Sequence, residues 1–131
     1  MMYLCERTGH SAWRYPFSYG RGGIDKHSAG DEKTPVGVYS LGVSRASADF
    51  HIFIPVGYPT KEQKKTGYTG GAIGVHGPYR TGIFEIIEYF LGASLIINWT
   101  SGCLAVSSRH EIEEIADFVS SRKVNTIRIL E

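Results

Sequence analysis

Sixteen glycines spread along 131 residues point to a turn-rich, sheet-heavy chain more than to a helical bundle. Glycine weakens helix interiors and marks turns. The runs between the glycines are rich in the β-branched and aromatic residues that fit a pleated surface, and eight tyrosines add to that bias. Residues 36–41 (VGVYSL) alternate as a half-buried strand does. Phe50, Ile52 and Ile54 alternate with His51, Phe53 and Pro55 to give a second strand. Residues 2–5, 13–19, 72–76, 93–97 and 124–130 read as further strands. Breaker-rich stretches at 20–23 and 27–35 separate them, and a long polar connection runs from Tyr58-Pro59-Thr60 through Gly67, Gly70 and Gly71.

Two segments have helical spacing instead. Apolar residues recur at 83, 86, 87, 90 and 91, with Gly92 as a stop. Ser108 and Glu111 have the spacing of a capping box, opening a helix over 110–121 whose apolar face is Ile112, Ile115, Ala116 and Val119. The expectation is one mostly β (α+β) domain spanning residues 1–131, with two short helices. That length can build a single core.

A formal charge of +1 offers no electrostatic reason for a nucleic-acid partner. Lys61, Lys64 and Lys65, with Glu62 among them, read as solvated surface. No run approaches the roughly 18 apolar residues of a bilayer span. The first residues, MMYLCER, lack the basic-then-apolar pattern of a signal peptide. The apolar setting of Cys5 reads as a buried strand position, and two cysteines leave the redox compartment open.

The chemistry concentrates at Cys103. It lies in the run NWTSGCLAV (98–106), downstream of a strand ending in Val75-His76-Gly77. A thiol is only a few per cent ionised at neutral pH, and a nearby imidazole raises that fraction. Covalent acyl transfer needs a nucleophile, a base within reach and backbone donors aimed at the developing oxyanion. Cys103 supplies the nucleophile and His76 is the candidate base. Gly102 lets the backbone approach a carbonyl closely, and Thr100 and Ser101 orient the turn. The other histidines suit the role less: His10 and His27 fall in polar loops, His51 within a strand, and His110 at a helix start. Zinc, the rival use of Cys and His, wants ligand pairs such as CxxC or HxxxH that are missing from this sequence. A redox pairing of Cys5 with Cys103 has no CxxC motif behind it.

Residues 30–39 (GDEKTPVGVY), 75–77 (VHG) and 99–106 (WTSGCLAV) together resemble the three signature segments of the L,D-transpeptidase catalytic domain family, of YkuD-type fold. The resemblance runs from about Gly20 to the end, and Tyr58-Pro59 falls where that family often has the same dipeptide. It implies a β-sandwich-like catalytic domain with cysteine chemistry on peptidoglycan stem peptides and no metal or organic cofactor. By similarity, Cys103 attacks the carbonyl at the L-centre of a diamino acid, expels the terminal D-alanine and leaves a thioester. His76 corresponds to the histidine that takes and returns the proton, oriented by a main-chain carbonyl, that of Gly77 or its neighbour.

An amine resolves the thioester in transpeptidation or exchange, and water resolves it in carboxypeptidase action. A related L,D-amidase activity would release wall-anchored protein, and a non-catalytic peptidoglycan-binding module is the alternative. Ser101 and Ala105 stand where the commonest family motif has histidine and arginine, which is similar to a subgroup with a WTxGCxA motif. The 81–92 segment lengthens the interval between His76 and Cys103, where it covers the acceptor side or packs as an ordinary helix. Arg80 is a candidate for a stem-peptide carboxylate. The substrate implies an extracytoplasmic place; with no signal peptide visible, delivery by a dedicated secretion system and an export segment missing from these residues fit equally well.

Overall fold

Among the described residues, most strands pair with the next in sequence. The computed structural model describes residues 1–6, 8–79 and 98–131. β1 (Met2–Cys5) and β2 (Ser11–Tyr15) form an antiparallel hairpin. β3 (Gly37–Ser40) pairs antiparallel with the last strand, β8 (Thr126–Ile129). The remaining four make one sheet in the order β4 (Arg45–Ser47), β5 (His51–Pro55), β6 (Gly74–His76) and β7 (Leu104–Ala105). β4–β5 and β5–β6 are antiparallel, but β6 and β7 run parallel. A parallel pair cannot be closed by a tight turn and needs a crossover of a dozen residues or more. The interval between His76 and Cys103 in the sequence is long enough for one.

The sheet's two faces divide the work. Ile54, Val75 and Leu104 lie side by side in register, all nearly inaccessible, and belong to the hydrophobic core. The core continues through Ile112, Ile115, Ala116, Phe118 and Val119 of helix α2 (Arg109–Ser121). Ser108 caps α2 by accepting from the Glu111 N–H, and the Glu111 side chain closes the box on the Ser108 backbone. Tyr15 reaches across to donate to Glu114 at 2.9 Å, and Trp13 packs edge-on against Phe118. These contacts dock the β1–β2 hairpin on α2.

Among the described residues the architecture is mostly β with two helices, in line with the expected fold class, and one of those helices falls where a polar connection was expected. Within the polar connection the chain forms α1 (Lys61–Lys65), capped by a reciprocal box between Thr60 and Gln63. Its lysines are exposed, as their spacing with Glu62 suggested. The expected helix over 83–91 and strand over 93–97 lie outside the described residues. Cys5 corrects the sequence reading: it is exposed, because the two-residue alternation of β1 turns Leu4 inward and Tyr3 and Cys5 outward. Cys5 and Cys103 are both free thiols.

Candidate active site

The parallel β6–β7 register brings the two halves of the site together. His76 stands opposite Ala105, and Cys103 lies two residues before Ala105 on the same strand direction. Side chains two apart on a strand share a face, so Cys103 enters the face that carries His76. Strand rise and spacing put their Cα atoms about 8 Å apart, a separation two side chains can bridge. Phe53, the antiparallel partner of His76, occupies this face too. Its ring lies over Gly74, where any side chain would collide with it.

His76 is 1% exposed and held from several sides. Its ring stacks on Phe50 with centroids 4.0 Å apart and lies parallel to Phe53 at 6.2 Å. Trp99 meets it edge-on at 5.6 Å. Nδ1 is 2.7 Å from the Gly77 carbonyl oxygen. A carbonyl can only accept, so Nδ1 carries the hydrogen and Nε2 keeps its lone pair. Burial pushes the imidazole below the ordinary histidine range, and the Gly77 bond offsets this in part. The ring is therefore neutral at physiological pH. Gly77 itself has no room for a side chain, because a Cβ would stand 2.9 Å from both the Phe50 carbonyl oxygen and Ile112.

The Cys103 turn is tied down by threonines. Thr100 Oγ1 donates to the Cys103 carbonyl at 2.7 Å and accepts the Gly102 N–H at 3.2 Å. Thr34 is buried, accepts the Gly20 N–H at 2.8 Å and donates to the Gly102 carbonyl at 2.9 Å. Residues 30–39 and 99–106, distant in sequence, thus meet through one hydroxyl. The Cys103 thiol donates to the Ala72 carbonyl at 3.4 Å, which places sulfur against the segment leading into β6. Burial pushes the thiol up, while the Gly74 backbone N–H and the positive charge of Lys26 pull it back. Thiol and imidazole therefore both rest uncharged.

Gly102 has φ +127°, and a Cβ there would stand 2.6 Å from the Lys33 carbonyl oxygen. Gly102→Ala is accordingly expected to destabilise the fold by about 1–3 kcal/mol. Thermal melting checks this: Tm should fall by several degrees.

The remaining expected site residues divide. Ser101 is exposed beside the turn. Tyr58 precedes a cis proline bond and is buried, with its hydroxyl donating to the carbonyls of Lys26 at 3.3 Å and Thr69 at 3.2 Å. Burial pushes its phenol up to about 12. Tyr58 thus braces loops rather than presenting a group to solvent. Arg80 and the 81–92 segment lie outside the described residues.

Sequence reasoning missed the rings around His76, those of Phe50, Phe53 and Trp99, with Tyr79 packed on Phe50 and Trp99 in turn, and it missed Lys26. The alternation at 50–54 signalled an apolar face without saying which histidine it would cover. Lys26 left no local signal, because only the fold buries it. Among the described residues, no three His, Cys, Asp or Glu side chains are grouped to hold a metal ion. No helix there is long and apolar enough to cross a membrane.

A family model, the YkuD L,D-transpeptidase catalytic domain, matches residues 1–128. Among solved structures the chain is similar to the helical cell shape determining protein Pgp2 from Campylobacter jejuni. The TM-score is 0.70 at 26% identity, covering 93% of this chain and 40% of that one. A mutant structure of Pgp2 aligns alike, with a TM-score of 0.69. Bdellovibrio bacteriovorus Bd1075 is similar at a TM-score of 0.56 and 20% identity, over 83% of this chain and 35% of that one, a likeness of fold alone. The chain spans about two fifths of the length of Pgp2. No curated protein sequence matches it. With a match over nearly its whole length, this chain belongs to the YkuD family, and its fold is that of a peptidoglycan-related L,D-transpeptidase catalytic domain.

Proposed function

We propose that this chain is a cysteine acyltransferase acting on peptidoglycan stem peptides, with Cys103 as nucleophile and His76 as base. The observation that carries this reading is the Nδ1–H bond of His76 to the Gly77 carbonyl, which leaves Nε2 as acceptor on the face Cys103 enters. The family supports the substrate class, and so does the similarity to a cell shape determining protein. An extracytoplasmic place goes with that substrate.

The first half-reaction balances with these two side chains. Nε2 of His76 takes the Cys103 proton as sulfur bonds to the carbonyl carbon of the stem peptide. The resulting oxyanion is met by backbone N–H groups near Cys103. That of Gly102 already reaches Thr100 Oγ1 at 3.2 Å, so the N–H of Cys103 itself is the better donor. The C–N bond then breaks, and the imidazolium returns its proton to the departing D-alanine amine. An incoming amine or water gives its proton to Nε2, attacks the thioester and frees the thiol. A neutral resting pair suits this cycle, because the base has a vacant site and the nucleophile a proton to give.

Incubation with purified tetrapeptide muropeptides, with products identified by mass, tests the proposal and names the acceptor. Crosslinked dimers mean transpeptidation, tripeptides mean carboxypeptidase action, and incorporated D-amino acids mean exchange. A carbapenem is expected to leave a stoichiometric adduct on Cys103. Neither product nor adduct would leave the chain a non-catalytic peptidoglycan-binding module.

A further inference from the structure

Lys26 is 4% exposed, an uncommon place for an ammonium group. A buried charge is costly unless it is paired and hydrogen-bonded. Here Nζ donates to Asp31 Oδ1 at 2.6 Å and to the Ser28 carbonyl at 2.9 Å. Asp31 is in turn saturated, accepting the backbone N–H groups of His27, Ser28 and Lys33. Burial alone would raise this carboxyl, but the Lys26 bond and the three N–H bonds hold it well below the usual range.

The pair sits where three loops converge on the nucleophile. The Lys26 backbone N–H donates to the Thr34 carbonyl at 3.3 Å, and Thr34 grips Gly102. The Lys26 carbonyl accepts from Tyr58, which also bonds the Thr69 carbonyl. Gly70 is pressed so close that a Cβ there would stand 3.2 Å from Lys26 Cε. Two residues on, the Ala72 carbonyl accepts the Cys103 thiol.

We propose that Lys26 is a positioning residue for Cys103: its ammonium, clamped by Asp31, locks the 26–34 and 69–72 loops around the sulfur and supplies a fixed positive charge beside it. The inference rests on the proposed role of Cys103 as nucleophile. Among the described residues, the charged and titratable groups set around the thiol are Lys26 and Asp31 from the loop before β3, and His76 from β6. Of these, Lys26 is the one whose charge acts directly on the sulfur, favouring thiolate. The positive charge acts when the thiol ionises, and the loop bonds act throughout.

Iodoacetamide alkylation of Cys103, followed against pH by mass spectrometry of its peptide, separates these effects and excludes signal from Cys5. Lys26→Gln keeps a donor for Asp31 and removes the charge. Its alkylation midpoint is expected about one pH unit above that of the unaltered chain, and Lys26→Arg is expected to restore it. A midpoint that stays in place in folded Lys26→Gln, with only Tm lowered, reduces Lys26 to a structural role and overturns the proposal. Should that variant not fold, Lys26→Met carries the test in its place. It keeps most of the aliphatic stem beside Gly70 and removes the charge, so its midpoint must also rise, and an unmoved or lowered midpoint overturns the proposal equally. Alkylation needs no peptidoglycan. An unaltered chain inert to muropeptides therefore sinks the proposed function, while an unmoved midpoint sinks the role of Lys26 alone.

Discussion

Cys103→Ala is expected to abolish turnover of tetrapeptide muropeptides, a loss on the order of 10⁴-fold or more, while the fold survives. Without sulfur no thioester forms, and the backbone donors around residue 103 have only a substrate carbonyl to hold. The change removes one atom from a partly accessible position whose backbone is held by Thr100 and Thr34. A stability cost of about 1 kcal/mol is the most that such a truncation should carry. Product analysis by mass and a thermal melt check the two halves separately. A folded variant with full activity would end the case for covalent catalysis.

His76→Ala is expected to lower acylation by roughly 10²–10⁴-fold, the contribution typical of a positioned base. Alkylation of Cys103 should persist in this variant, because the sulfur can still ionise by itself. The pH dependence supplies a sharper reading. Burial depresses the imidazole, so the base form is retained as pH falls to the ordinary histidine value of about 6.5 and is lost only below it. The acid limb of acylation should therefore lie below about 6.5 in the unaltered enzyme. In His76→Ala that limb is replaced by a steady rise towards the ionisation of the thiol, which burial has raised. Rates of carbapenem adduct formation against pH measure both. An unchanged rate in His76→Ala would remove the imidazole from the mechanism.

Several elements were legible because their causes are local. The Ser108–Glu111 box and the 112, 115, 116, 119 spacing define α2 without help from the rest of the chain. The alternation at 50–54 yields β5 to within a residue. The same logic applied to Thr60 and Gln63 would have found α1, whose capping box was hidden in a stretch that otherwise reads as polar loop. Cys5 failed for a different reason. An apolar-looking segment does not say which of its alternating positions faces inward, and Leu4 took the core side.

What the sequence determined about the site is chemical: a thiol after a glycine in WTSGC, one histidine ending a strand, and a threonine-proline loop upstream. Those residue types follow from the reaction they can perform, and their identity needs no coordinates. What the tertiary structure alone decided is register and burial. The parallel pairing of β6 with β7 sets Cys103 on the face of His76, the Gly77 carbonyl selects the imidazole tautomer, and Thr34 is brought to Gly102 from 68 positions away. It also turned Lys26, one of fourteen lysines and arginines, into a buried cation whose charge is felt by the Cys103 thiol. Such placements depend on which distant segments exclude water together, and no stretch of neighbouring residues encodes that.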